Sequence, residues 1–204
     1  MLFRSQTSNY ATATSSGHGF SDGAPIKIAG ASPSAYNGIV QIKYNDANSF
    51  SYNVSGSPSS PASGTITATA YTESYFKYAA YVHCNDKDLL LGVSDGCVYE
   101  FLETEYQDNG VPINVLIRTL KFDGGSTNPK REGRCEIVGS KISDYMMIRH
   151  SDDDYQTNSP YRYVNLNAER PQIWRQGRFR RRSYEARYIG NNQLQIANLE
   201  LDLE

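Results

Sequence analysis

The sequence predicts an all-β protein in which a small N-terminal β-module precedes an antiparallel β-sandwich-like domain. Short apolar or aromatic runs alternate in parity, as half-buried strands do. Clusters of Asp, Ser, Asn, Pro and Gly separate these runs, as expected for tight turns between antiparallel strands. Helical spacing is nearly absent. All three features are clearest between Asp144 and Ile189.

Residues 1–72 are expected to form the small β-module. Its strand-like runs are Ile26–Ile28, Ile39–Tyr44, Phe50–Val54 and Thr65–Thr69. In the second and third runs every other residue is apolar, and the polar segment Asn45–Ser49 between them predicts a hairpin loop. Ser55–Gly64 is a polar loop within the module, since a strand follows it. A unit of about 60 residues is marginal for independent stability.

Residues 73–204 are expected to form the sandwich-like domain. We assign Phe76–His83 to a strand, with a short helix as the alternative, because the run is rich in aromatic and β-branched residues. Ser94-Asp95-Gly96 between two apolar runs predicts a hairpin. Further strands are predicted up to about Phe122, at Arg134–Val138 and at Tyr145–His150. Trp174 is expected to anchor the core of the terminal sandwich.

Composition narrows the functional classes. The formal net charge of -2 argues against a general nucleic-acid binder. Cys84, Cys97 and Cys135 are odd in number and widely spaced, which favours reduced, packed thiols over a disulfide framework. Sixteen tyrosines suit β-faces and interfaces that are wet on one side, although packing on strands explains most of them.

Neither targeting nor membrane insertion is indicated. Met1–Arg4 leads directly into a polar stretch, so no signal peptide is expected. No apolar run approaches membrane-spanning length. We therefore expect a protein that is made in a cytoplasm and does not insert into a membrane.

No pattern indicates catalysis. Ser151–Thr157 partly matches the Asp-box, a hairpin in which side chains satisfy turn amides, although Tyr155 and Asn158 replace the usual Gly and Trp. Its three adjacent carboxylates suit Ca²⁺, but strand neighbours point to opposite faces, which favours a solvated turn. The three histidines lack ligand spacing, and nothing local pairs a nucleophile with His and an acid. We expect no enzyme activity, metal or cofactor.

The most prominent charged feature is an arginine-rich segment near the C-terminus. If Arg178–Tyr188 is one strand, Arg178, Arg180 and Arg182 line one face, and Glu185, Arg187 and Ile189 lie on the other. Three arginines on one face repel one another unless anions neutralise their charges. One interpretation is a basic face toward DNA or an acidic partner. The other, which we favour, is pairing with Glu200, Asp202 and Glu204 on a neighbouring strand.

Two parts of the chain resemble bacteriophage proteins. Residues 7–70 resemble a small all-β module of phage tail and other virion proteins, through Ser16–Phe20, Ile26–Ala31, Ala35–Gly38, Asn48–Tyr52 and Gly64–Thr67. Residues 88–204 resemble the end of the β-propeller, and the β-sandwich after it, in the short-tail nozzle or packaged-DNA-stabilisation proteins. The segments that carry this second resemblance are Leu91–Phe101, Asp108–Ile113, Arg118-Thr119, Ser151–Asp153 and Arg178–Arg187. The chain is too short for a whole propeller.

The resemblance implies a structural component of a phage virion, located in the short tail. Such a subunit is expected to form a ring with copies of itself, as a hexamer, and to bind other tail proteins. It is also expected to make transient contact with phage DNA. The alternative is a receptor- or carbohydrate-binding adhesion module of the tail, for which Tyr71, Tyr75, Tyr78 and Tyr81 are a candidate aromatic platform. A glycosidase is the third and least supported hypothesis.

Overall fold

The predicted all-β class is confirmed by a computed structural model that describes residues 2–7, 10–72, 78–93, 95–108 and 110–203. These residues form seventeen strands in four sheets. Within them the helical content is a single 3₁₀ turn at Ser34–Tyr36. The described residues contain no helix that is both long enough and apolar enough to cross a membrane.

The first sheet has six antiparallel strands in the order β1-β2-β5-β4-β3-β6. Its strands are β1 (Leu2–Thr7), β2 (Tyr10–Thr14), β3 (Pro25–Ala29), β4 (Gly38–Asp46), β5 (Ser49–Asn53) and β6 (Thr67–Ala70). The predicted hairpin between β4 and β5 is confirmed. Phe50, Tyr52 and Val54 are all buried, as their shared parity predicted.

One side of this sheet is covered by its own loops. Tyr36 and Val54, from the connections after β3 and β5, pack onto the buried side chains of β2 to β5. The Tyr52 hydroxyl donates to the carbonyl oxygen of Tyr36 at 3.0 Å, so the tyrosine tip is satisfied inside the core. The first sheet therefore has a closed hydrophobic core.

The next sheet is a three-stranded meander of β7 (Tyr78–Cys84), β8 (Lys87–Gly92) and β9 (Val98–Phe101). We call residues 78–102 the arm. The strand predicted at Phe76–His83 is confirmed from Tyr78 onward; Phe76 and Lys77 lie outside the described residues, as does Ser94 of the predicted hairpin turn.

Two further sheets face each other across a second core. One has the order β10-β11-β16-β13-β14 and the other β15-β12-β17. Their strands are β10 (Gln107–Asp108), β11 (Val111–Arg118), β12 (Lys130–Gly139), β13 (Tyr145–Ser151), β14 (Arg162–Asn165), β15 (Gln172–Phe179), β16 (Ser183–Gly190) and β17 (Ile196–Leu203). Cys135 and Ile173 of the smaller sheet pack against Ile148 and Tyr184 of the larger one.

The prediction that Trp174 anchors this core is wrong. Its side chain is 53% exposed, whereas its neighbour Ile173 is buried. Alternate residues of a strand point to opposite faces, so the burial of Ile173 turns Trp174 outward.

Two other expectations also need correction. The strand predicted to reach Phe122 ends at Arg118, and Cys84 and Cys97 are exposed free thiols, so only Cys135 is packed.

The first sheet packs against the outer face of the five-stranded sheet. The backbone N–H of Tyr161 donates to Asp22 Oδ2 at 3.0 Å, and the Tyr163 hydroxyl donates to the carbonyl oxygen of Gln41 at 3.0 Å. The Tyr10 ring contacts the Tyr163 ring, with centroids 5.1 Å apart. Burial raises the pKa of the Tyr163 hydroxyl, which therefore acts as a neutral donor in this interface. Tyrosines thus join the two cores.

Candidate functional site

The predicted face of three arginines does not form. The chain leaves β15 at Phe179 and enters β16 at Ser183, so Arg178–Tyr188 is not one strand. Arg178 and Arg180 are exposed, but Arg182 is buried at 1% exposure. Whether Arg178 and Arg180 meet DNA or a partner stays a prediction.

Arg182 makes its hydrogen bonds inside the sandwich. It donates to both carboxylate oxygens of Asp152, at 2.7 and 2.8 Å, and to Glu132 Oε2 at 2.8 Å. It also donates to the carbonyl oxygen of Gln176 at 2.9 Å and lies over the Phe179 ring. The predicted pairing with Glu200 and Asp202 is wrong, because β17 pairs with β12 and not with β15 or β16, and Glu204 lies outside the described residues.

Glu132 is the buried partner of Arg182. Burial raises the pKa of its carboxyl, and hydrogen bonds from Tyr184 and Arg182 oppose that rise. The Tyr184 hydroxyl donates to Glu132 Oε2 at 2.5 Å, while Oε1 has no hydrogen-bond partner. Removing one member of such a buried ion pair would leave the other charge without a partner, so Arg182 and Glu132 depend on each other.

The predicted Asp-box turn is confirmed as a self-satisfied hairpin. Asp153 accepts hydrogen bonds from the Ser151 hydroxyl and from the backbone and side chain of Thr157. These bonds lower the pKa of the Asp153 carboxyl, chiefly through the Thr157 hydroxyl. Asp152 binds Arg182, and Asp154 lies 3.7 Å from Arg181. The three carboxylates therefore diverge, and the described residues contain no cluster that would hold a metal ion.

A Ser–His contact exists nearby without the remaining parts of a nucleophilic site. Ser159 Oγ lies 3.3 Å from His150 Nδ1, and the backbone N–H of His150 donates to the same hydroxyl. Burial lowers the pKa of His150. The nearby acid, Asp152, is engaged by Arg182 and does not orient the imidazole. The contact stabilises the Asp-box hairpin and gives no support to acyl transfer.

The arm is the most unusual surface of the molecule. One face is aliphatic, with Val82, Leu91 and Val98 in adjacent positions, and Val82 and Val98 are 53% and 64% exposed. The other face is aromatic, with Tyr81 and Phe101 both more than half exposed. Within the described residues, no side chain of the arm belongs to either core. The arm thus leaves apolar surface open on both faces.

A second charged cluster lies on the outer face of the five-stranded sheet. Arg118 Nε lies 2.7 Å from Glu185 Oε2, Arg149 Nη2 lies 2.8 Å from Oε1, and Arg187 Nε lies 3.2 Å from Oε1. The Tyr161 hydroxyl also donates to Oε1. We call these three arginines with Glu185 the arginine cluster.

Burial alone would raise the pKa of Glu185, but Tyr161 and the three arginines lower it to about 2. The carboxylate is therefore ionised at neutral pH.

Sequence analysis placed Glu185 and Arg187 on one face, which is confirmed, but it missed Arg118 and Arg149. No local pattern could have identified them, because they lie on β11 and β13, the strands that pair with β16.

A small pocket of about 150 Å³ lies where the two cores meet. It is lined by residues of β4 and β13, among them Gln41 and Met147, and by Asn53. The side-chain oxygen of Asn53 is buried without a hydrogen-bond partner. A cavity of this size has room for about five water molecules.

No protein-family model matches the sequence, and no curated protein matches it at a significant level. The arm and the arginine cluster are the two features for which folding alone gives no sufficient reason.

Proposed function

We propose that this chain is a structural subunit of a bacteriophage virion that assembles with copies of itself through the arm. The observation that carries assembly is the open apolar surface of the arm. An apolar sheet face stabilises a fold only to the extent that it is removed from water. Here both faces are open, and β7 and β9 are both edge strands.

The size of this surface fits a protein interface. The arm exposes eight large apolar side chains, namely Tyr78, Tyr81, Val82, Leu91, Val93, Val98, Phe101 and Leu102. Together they leave roughly 700–800 Å² open across the two faces, about what one partner contributes to a standard interface. Divided between the two faces, this is about 350–400 Å² per face, within the range of the largest apolar patch of a typical monomer, a patch that is often functional.

A second copy of the chain is the occupant that the arm favours. Free strand edges pair readily with equivalent edges of another copy, and most soluble oligomers are symmetric assemblies of identical chains. Four carboxylates, those of Asp86, Asp88, Asp95 and Glu100, face one lysine in the arm, so copies of the arm are expected to pair through its apolar surface and not through charge. The virion assignment, the short tail and the hexameric ring around a DNA channel rest on the sequence resemblance.

The oligomeric state of the intact chain tests assembly. We expect light scattering after size exclusion to give a multiple of the 22.8 kDa chain at micromolar concentration. Val82→Glu with Val98→Glu should dissociate it, because both changes bury a charge in the interface. Leu120→Glu is the matched control, since Leu120 is an exposed apolar residue outside the arm. A monomeric wild-type chain, or a double variant that assembles normally, would contradict the proposal.

Electron microscopy tests the place of the assembly. A ring of sixfold or twelvefold symmetry in the short tail of an intact particle supports the tail proposal. A peripheral threefold spike supports the adhesion alternative instead.

The adhesion alternative is favoured by one observation, the exposed tyrosines Tyr78 and Tyr81 of the predicted aromatic platform. Tyr75 of that platform lies outside the described residues. Tyr81 is oriented by its hydroxyl, which donates to Asp88 Oδ1 at 2.5 Å. Binding of the intact chain to a glycan array, lost in Tyr78→Ala, would support this function. Binding that survives the substitution would exclude the platform.

A further inference from the structure

We propose that Arg118, Arg149 and Arg187 form a binding site for a phosphate group on the outer face of the five-stranded sheet. The site is independent of the arm and of the assembly proposed above. Its basis is a convergence of three guanidinium groups on one carboxylate, which leaves both charge and hydrogen-bond donors unused.

Strand register brings the three arginines together. On β16, Glu185 faces Arg118 of β11 on one side and Arg149 of β13 on the other. Arg187 lies two residues along β16 and so shares the face of Glu185. The arrangement is held by sheet hydrogen bonds rather than by a loop. The guanidinium groups are therefore held in place before any ligand binds.

The cluster carries an excess of positive charge. One ionised carboxylate faces three guanidinium groups, and within the described residues none of the three forms an ion pair with another acid. Asp22, the acidic residue at the border with the first sheet, accepts from the backbone N–H groups of Tyr44 and Tyr161. The surplus is two positive unit charges in a partly buried place, where a charge without a counter-ion costs free energy.

Hydrogen-bond donors also remain available. The bonds to Glu185 use the Nε atoms of Arg118 and Arg187, so the terminal N–H groups of both forks are left for a ligand. The Arg118 side chain is 54% exposed, which gives access from solvent. Arg149 lies over the Tyr161 ring at 4.4 Å, and its Nε is buried without a partner. The rings of Tyr155 and Tyr161 reduce the access of water on either side.

Phosphate fits this set of donors better than a carboxylate does. Guanidinium forks bind tetrahedral oxyanions with paired hydrogen bonds, and a tetrahedral anion accepts from several forks at once. Inorganic phosphate as a dianion neutralises both surplus charges, whereas a backbone phosphodiester neutralises one, as a carboxylate does, but keeps the tetrahedral arrangement of oxygens. Two sources can supply such a group, free inorganic phosphate or the backbone of a nucleic acid, and the experiment has an arm for each.

Calorimetry on the intact chain tests the site with inorganic phosphate as the probe, at constant ionic strength set with chloride. We expect saturable binding by the wild-type chain. Arg118→Gln with Arg187→Gln should weaken it by about tenfold or more. Arg170→Gln with Arg175→Gln is the matched control, because it removes two exposed arginines that lie just before and on β15 of the other sheet, and it should bind like wild type.

The second arm uses a fluorescent single-stranded oligonucleotide. If nucleic acid is the source, the oligonucleotide binds more tightly than inorganic phosphate, with a steep salt dependence that becomes shallower in the cluster variant. If free phosphate is the source, phosphate binds and the oligonucleotide does not. Arg118→Lys keeps the charge but loses the guanidinium fork, so it should give an intermediate affinity. This conservative variant separates the loss of hydrogen bonds from a loss of the fold.

Two results would overturn the site. One is the absence of saturable phosphate binding by the wild-type chain. The other is an equal loss of binding in the control variant, which would show a diffuse basic surface rather than the arginine cluster.

Discussion

Replacing Arg182 by Met tests whether this arginine belongs to the interior of the sandwich. Its side chain is 1% exposed and makes four hydrogen bonds, two to Asp152, one to Glu132 and one to the carbonyl oxygen of Gln176. Methionine fills much of the same space but supplies no donor and no charge. The substitution therefore leaves the buried carboxylate of Glu132 with only the Tyr184 hydroxyl as a partner.

The expected cost follows from the unequal burial of the two carboxylates. The Asp152 side chain is 40% exposed, so it returns to solvent at little cost. Glu132 is buried, and removing one partner of a buried ion pair typically costs about 3–5 kcal/mol. Arg182→Met with Glu132→Gln removes both charges and should recover part of that loss. The double variant should thus be more stable than Arg182→Met alone.

Urea unfolding followed by fluorescence measures this cost, because Trp174 is the single tryptophan and lies on β15 of the sandwich. With a slope of about 2 kcal/mol per molar urea, the midpoint should fall by about 2 M. Arg180→Met is the control and should change stability by less than about 0.5 kcal/mol, since Arg180 is exposed. A loss below about 1 kcal/mol for Arg182→Met, or a double variant no more stable than the single one, would refute the interpretation.

Three further predictions concern other parts of the fold. Because the pKa of Glu185 is about 2 when folded and near 4.3 when unfolded, its contribution is complete above about pH 5 and is lost as pH falls toward 2. The full loss should be about 2 kcal/mol, after allowance for solvent around the exposed Arg118, and about half of it is reached by pH 3. Urea midpoints from pH 7 to 3 should show that part in wild type and not in Glu185→Gln. Gly23→Ala should lower the free energy of unfolding by about 2–4 kcal/mol, because Gly23 has φ +74° and a Cβ there would overlap the buried Tyr161 ring. Gly17→Ala is the comparison: Gly17 has φ +60° but open space around it, so the loss should be about 1–2 kcal/mol. Asp153→Ala should lower the thermal unfolding midpoint more than Asp154→Ala does, because only Asp153 caps the Asp-box turn.

Local alternation predicted the strands well where the chain is regular, as at Phe50–Val54. It is unreliable where the backbone adds a residue. The pairing of β12 with β15 shifts register near Glu132, and Arg175 on β15 has φ +60°. Such a bulge resets the parity of the strand. Trp174 was expected in the core without use of parity, whereas its alternation with the buried Ile173 places its side chain on the outer face.

The prediction of a three-arginine face failed because the sequence does not mark the turn between β15 and β16. The reversal between β15 and β16 runs through Arg180–Arg182, which contain none of the Gly, Pro, Asn or Asp residues that usually mark turns. The segment therefore looked like a continuous strand. The arginine cluster needed non-local information, since Arg118 is 67 positions from Glu185 and is brought to it only by the pairing of β11 with β16. Register between distant strands is not encoded in local spacing.

The distribution of charge and apolar surface in this chain supports the view that the arm needs a neighbour. The sandwich buries two ionised or ionisable carboxylates, Glu132 and Glu185, at positions where apolar side chains would cost less to bury. The arm does the reverse and leaves Val82, Val98 and Phe101 in solvent. Those three residues would stabilise an isolated chain more if they were packed against its own sheets. Under the proposed function that stabilisation is realised between subunits, so the stability of the arm should depend on protein concentration.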